Sequence, residues 1–121
     1  MKRTSDPLAP LTPIEFHVLL SLSEGALHGY AILQDVARRT REQVTLRTGT
    51  LYTVIKRMLD SRWIEETGGP GDDERRRYYR LTTLGRTVVR NEAKRLQELV
   101  TLAQNKRVLA RPRKLSPERG R

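Results

Sequence analysis

Between Arg62 and Thr83 the hydrophobic period of this chain changes, and that change limits what it can fold into. On either side, apolar residues recur at helical spacing. Between them, Trp63-Ile64-Glu65-Glu66-Thr67 and Arg76-Arg77-Tyr78-Tyr79-Arg80-Leu81 read as strands around a loop at Gly68-Gly69-Pro70-Gly71-Asp72-Asp73. The two strands make a β-hairpin. Alternation puts Tyr79 and Leu81 on an inner face against the helices, and Arg76, Tyr78 and Arg80 on a wet outer face.

Three helices precede the hairpin. Thr12 as N-cap, Pro13 at the first helical position and Glu15 at the third form a capping box, with Leu11 and Phe16 in the staple positions. This first helix runs to about Ser23, burying Val18, Leu19 and Leu22. His28-Gly29-Tyr30 opens a second helix with Ile32, Leu33, Val36 and Ala37 as its stripe, ending near Arg41, and His28 helps to cap it. In the connector 42–48, Val44 and Leu46 alternate with polar residues, as in a short extended stretch.

The third helix starts at Gly49 with Thr48 as N-cap and continues to about Arg62. At 100° per residue Leu51, Ile55, Met58 and Leu59 share one face, Thr50, Thr53 and Arg57 lie opposite, and Lys56 is on the flank. Such a helix is either an ordinary amphipathic surface helix or one that enters a DNA groove. The second use needs a buried stripe to fix the pose, and small polar or cationic residues facing out near the N-terminus.

Thr82 or Thr83 caps a longer fourth helix reaching about Asn105. Leu84 and Val88 continue the core contact, while Val89, Ala93, Leu96, Val100 and Ala103 follow the 4-3-4-3 spacing of a short coiled-coil seam. That stripe serves either a homodimer contact or packing within the chain, and a helix this long at the edge of a small domain favours the dimer.

The order of three helices, a hairpin and a helix is that of a winged helix-turn-helix domain: mainly α with a small β-hairpin, plus a long C-terminal dimerisation helix. The chain divides into a flexible lead (1–10), the winged domain (11–82), the dimerisation helix (83–105) and a basic, unstructured tail (106–121). Charge agrees with a polyanionic partner. The net charge is +10, of which seven basic residues and one acid between Lys106 and Arg121 carry +6, leaving a mildly basic body at +4.

Other classes are excluded by what the sequence lacks. There is no cysteine, so no disulfide framework and no thiolate metal site. His17 and His28 have no carboxylate companion at ligand spacing, so no metal or other cofactor is expected. Glu65-Glu66 and Asp72-Asp73-Glu74 are adjacent acids in a hairpin, not carboxylates held across a cleft, and there is no nucleophile–base pair or phosphate loop; an enzyme is not expected. No apolar run of about 18 residues could span a bilayer, and the basic N-terminus is not followed by an apolar core, so a cytoplasmic protein without a membrane role is expected.

On these residues the chain resembles the PadR family of bacterial transcriptional regulators. The matching elements are His28-Gly29-Tyr30-Ala31-Ile32, Gly49-Thr50-Leu51-Tyr52, the exit Arg57-Met58-Leu59 to Trp63-Ile64, and the wing strand Arg76-Arg77-Tyr78-Tyr79-Arg80-Leu81-Thr82 with Gly85 beyond it. The resemblance covers about residues 11–105 and implies a homodimeric repressor on near-palindromic double-stranded DNA, often released by a small phenolic or drug-like ligand or by a stress signal. It implies that Tyr30, Thr50, Tyr52 and Lys56 approach DNA and that Arg76 and Arg77 serve the wing. Thr53 stands where the family often has proline, and Asp72, Asp73 and Glu74 precede the wing arginines, where they either repel a phosphate backbone or pair with Arg75–Arg77.

The candidate DNA contacts are therefore Tyr30, Thr48, Thr50, Tyr52, Thr53, Lys56, Arg57, Arg75, Arg76 and Arg77. Tyr30 and Tyr52 either donate to phosphates or pack at the junction of the second and third helices, and a tyrosine can do both. Trp63 reads as core rather than as a ligand-stacking ring. Two rivals stay open: a winged-helix module for an acidic protein partner, and a nonspecific nucleic-acid binder driven by the tail.

Overall fold

The computed structural model describes residues 10–68 and 76–112. Its first helix, α1 (Pro13–Ser21), starts on the expected capping box: Glu15 N–H donates to Thr12 Oγ1 (3.1 Å) and Thr12 N–H donates to Glu15 Oε1 (2.8 Å). A 3₁₀ turn at Leu22–Glu24 follows, then a two-residue strand β1 (Leu27–His28) that leads into α2 (Gly29–Arg39). His28 caps α2, its Nδ1 accepting from Ala31 N–H at 3.2 Å.

The connector does not become a strand. The Thr40 hydroxyl organises it, donating to Val36 O (2.8 Å) and accepting from Val44 N–H (3.1 Å), while Val44 and Leu46 pack half-buried on the core. Helix α3 (Thr48–Asp60) begins one residue earlier than expected. Arg47 is its N-cap, without a side-chain bond, and Thr48 already lies in the first turn, so Thr48 is not the cap. Strands β2 (Ile64–Thr67) and β3 (Tyr78–Leu81) form the hairpin, and α4 runs from Thr83 to Asn105.

The sheet has three strands, in the order β1-β3-β2, all antiparallel. Ile64 faces Leu81 and Glu66 faces Tyr79 across β2–β3, while His28 of β1 faces Tyr78. This third strand corrects the expected face of Tyr78. The ring is buried, edge-on to the His28 ring with centroids 5.2 Å apart, because β1 covers the surface a two-stranded wing would leave wet.

One apolar core joins Val18, Leu19, Ile32, Val36, Leu51, Ile55, Met58, Trp63, Ile64, Tyr79, Leu81 and Val88. Trp63 is buried there, as its position predicts. Two buried carboxylates tie helices together across long sequence distances. Glu15 offers its second oxygen to Arg57 Nε of α3 (3.2 Å). Glu92 of α4 takes a bidentate grip from Arg95 (3.0 and 2.6 Å) and also accepts from the Leu11 backbone just ahead of α1.

Thr82 fixes where α4 begins: its hydroxyl donates to Arg62 O (2.6 Å) and accepts from Gly85 N–H (2.9 Å). Gly85 cannot carry a side chain, since a Cβ would lie 2.0 Å from the Trp63 carbonyl oxygen. Helices α2, α3 and α4 all stop in the same way. Arg41, Arg62 and Arg107 sit in the left-handed region, and Glu42, Trp63 and Val108 N–H reach back to Ala37, Met58 and Ala103 O.

Candidate nucleic-acid interface

The burial of Val54, added to Leu51, Ile55 and Met58, decides which side of α3 faces out. Val54 lies on the Arg57 side of Leu51, so the buried stripe is shifted towards Arg57, and Leu59 on the opposite margin is only half-buried. The outward face then carries Gly49, Thr53 and Lys56, with Thr50 at its edge on the Arg57 side; Thr48, in the first turn on the Leu59 side, is exposed as well. Lys56 lies 3.6 Å from Asp60 in an exposed pair that solvent screens. Arg57 shares the Thr50 edge of that face. It sits half-buried at the margin, held by Glu15, and is therefore first a bolt between α3 and the cap of α1.

Beside this face lies a cleft of about 330 Å³, lined by His28, Gly29, Tyr30, Tyr52, Arg76, Arg77 and Tyr79. Tyr30 is 63% exposed and Tyr52 46%, so neither ring is spent on the core. Tyr52 is nevertheless positioned. Its hydroxyl end rests on Gly29, where a Cβ would come within 2.3 Å of Oη. Tyr79 forms the buried wall. Burial, and then Tyr52 beside it, push its pKa above the usual value, so it stays protonated across the physiological range.

The wing arginines close the cleft. Arg76 Nη1 lies 2.8 Å from His28 Nε2, and Arg77 Nη1 lies 3.3 Å from Glu66 Oε2. Arg80, further along β3, pairs with Glu65 at 2.7 Å. Arg75 and the acids Asp72, Asp73 and Glu74 lie outside the described residues.

Of the expected contacts, then, Thr50, Thr53 and Lys56 are exposed on the outward side of α3, Thr48 is exposed at its first turn, and Tyr30, Tyr52, Arg76 and Arg77 share the adjoining cleft. Two contributors were not read as such from the sequence. Gly29 makes room for Tyr52, and His28, expected only as the cap of α2, also meets Arg76. A glycine between a histidine and a tyrosine was visible, but its partner lies 23 positions away on another helix. Hydroxyls, guanidiniums and an ammonium gathered on one surface are hydrogen-bond donors suited to phosphates and base edges. Among the described residues no three His, Cys, Asp or Glu side chains could hold a metal ion, and no helix is long and apolar enough to cross a membrane.

The expected seam on α4 is only partly covered. Val89, Leu96 and Ala103 are half-buried, Ala93 and Val100 are exposed, and Leu99 and Leu102 stand exposed beside them.

Comparison with known proteins places this arrangement. The profile of the transcriptional regulator PadR-like family matches residues 18–91. An uncharacterized protein of Lysinibacillus sphaericus is 31% identical over 83 residues, covering 68% of this chain and 76% of that protein. Among solved structures, a transcriptional regulator from Clostridium thermocellum aligns with a TM-score of 0.66 at 29% identity, over 79% of this chain and 90% of that one. A PadR family transcription regulator from hypervirulent Clostridium difficile aligns with a TM-score of 0.64 at 23% identity, over 81% of this chain and all of that one, a likeness of fold.

Proposed function

Because the chain belongs to the PadR-like family of transcriptional regulators, which bind DNA and are not enzymes, we propose that it is a homodimeric repressor reading a pseudo-palindromic operator with α3. One observation carries the reading. Thr50, Thr53 and Lys56 stand exposed on a helix whose other side is buried, next to a cleft holding Tyr30, Tyr52, Arg76 and Arg77. In a major groove the first set reaches base edges and the second set reaches flanking phosphates.

The exposed Leu99, Val100 and Leu102 support the second protomer, because apolar side chains gathered on one stretch of helix are best buried against a copy of themselves. In the dimer each α3 takes one half-site, with the two helices about 34 Å apart. The protein acts where the genome is, in the cytoplasm, and is released by a small-molecule effector or a stress signal. An effector between the protomers meets aliphatic Val89, Leu96 and Val100 rather than a stacking ring, since α4 contains no aromatic residue.

The basic segment from Lys106 to Arg121, with its charge of +6, favours a second reading, sequence-independent binding to nucleic acid. Fluorescence anisotropy near 150 mM salt, on the DNA upstream of the protein's own gene and on a scrambled duplex, separates the two. A repressor prefers the native duplex by more than about 10³-fold and keeps that ratio when residues 106–121 are deleted. Equal, weak and steeply salt-dependent binding to both duplexes belongs to the second reading.

A further inference from the structure

We infer that Gly49 and Thr53 form a single base-reading contact, in which the backbone of α3 comes closest to the DNA at Gly49 and Thr53 accepts a hydrogen bond from an exocyclic amino group, adenine N6 or cytosine N4. The inference rests on the reading of α3 as the DNA-reading helix.

Three glycines next to or within helices can be compared. At Gly29 and Gly85 a Cβ would come within 2.3 Å of Tyr52 Oη and 2.0 Å of Trp63 O, so the fold itself explains them. At Gly49 a Cβ would meet nothing within 4 Å, and the backbone there is ordinary helix. Glycine weakens a helix relative to alanine. Nothing within the molecule is gained in return. The missing side chain therefore serves something outside it that comes close to the helix backbone.

Thr53 stands one turn further on and on the same face, exposed, and its hydroxyl donates to the Gly49 carbonyl at 3.0 Å. A hydroxyl has one hydrogen and two lone pairs. With the hydrogen committed inward, Thr53 Oγ1 offers the groove only lone pairs. Lys56, its outward neighbour, can only donate. In the major groove, guanine N7 and O6, adenine N7 and thymine O4 accept, and only adenine N6 and cytosine N4 donate. An acceptor fixed on this face thus selects an amino-bearing edge. Thr50 lacks this constraint, as no hydrogen bond holds its hydroxyl among the described residues.

The test selects preferred duplexes from a random pool for the wild type and for Thr53→Val, Thr53→Ser and Gly49→Ala. The wild type should show one symmetric pair of positions preferring adenine or cytosine. Thr53→Val, which keeps the shape and loses the oxygen, should lose about tenfold at that pair alone, and Thr53→Ser should keep the preference. Replacing the preferred base by purine or 2-pyrimidinone, which lack the amino group, should weaken the wild type and leave Thr53→Val unchanged. Gly49→Ala should raise the thermal midpoint by a few degrees while weakening binding to every duplex by about tenfold. Unchanged preferences in Thr53→Val, or unchanged affinity in Gly49→Ala, overturn the inference while leaving the repressor reading intact. A wild type that enriches no sequence overturns both.

Discussion

The outward faces of α3 and of the second half of α4 are both left over after the core is packed, and they are chemically opposite. On α3 the remainder is Gly49, Thr50, Thr53 and Lys56, short hydroxyls and a cation. On α4 beyond Leu96 it includes an apolar side made by Leu99, Val100 and Leu102, with Gln97, Glu98 and Thr101 on the other. The first set can satisfy phosphates and base edges but has little to gain from being buried against protein. The second has nothing to offer a phosphate but gains by leaving water, at roughly 25 cal/mol per Å². In the proposed reading, two amphipathic helices in one small domain keep nucleic-acid and protein contacts apart, because each face is suited to only one kind of partner. What joins them is the first half of α4, anchored by Gly85, Val88 and Glu92.

The largest expected effect removes that anchor. Gly85→Ala places a Cβ 2.0 Å from Trp63 O, where backbone must move, so denaturant unfolding should show a loss of about 3 kcal/mol, and both faces should fail together. Next, Leu99→Asp with Val100→Asp should break the proposed dimer, weakening association by at least about 30-fold in sedimentation. The monomer's circular dichroism should stay the same, because neither side chain is in the core. Unchanged dimer mass would mean that α4 is not the contact.

A smaller effect marks the boundary between the two halves of α4. Arg95 holds the Glu92 carboxyl below its ordinary value, helped by the Leu11 N–H and opposed by burial. A depressed carboxyl contributes stability that is fully present above the unfolded value, near 4.5, and is lost as pH falls through the folded one. Glu92→Gln should therefore cost about 1 kcal/mol at pH 7. The difference from wild type should shrink as the solution is acidified below pH 4.5, as measured by urea unfolding across pH.

Much of the fold was legible because its signals are local. The Thr12–Glu15 capping box, the Thr82 cap and the switch of period at Trp63 each lie within a few residues. What escaped the sequence depends on distant partners or very short elements. Two residues, Leu27 and His28, are too few to show alternation, so β1 was invisible and Tyr78 was expected on a wet face. The burial of Glu15 and Glu92 had no local signal, because Arg57 and Leu11, which they respectively also hold, lie far along the chain. Arg57 stands nearer the buried stripe than expected, since that stripe had been drawn without Val54. The helix ends were placed within a few residues, but the left-handed turns at Arg41, Arg62 and Arg107 that make them had no signal, because arginine stands where glycine usually marks the end.

The central claim, that the outward face of α3 carries sequence specificity, is tested most directly by Thr50→Ala, Thr53→Ala and Lys56→Ala combined in one chain. Its affinity for the selected duplex and for a scrambled one would be measured by anisotropy at one salt concentration. All three side chains are exposed, so fold and dimer mass should hold. The account predicts that preference for the selected duplex falls from more than about 10³-fold towards unity. A preference that survives intact in the triple variant would contradict it and move the reading surface elsewhere on the molecule.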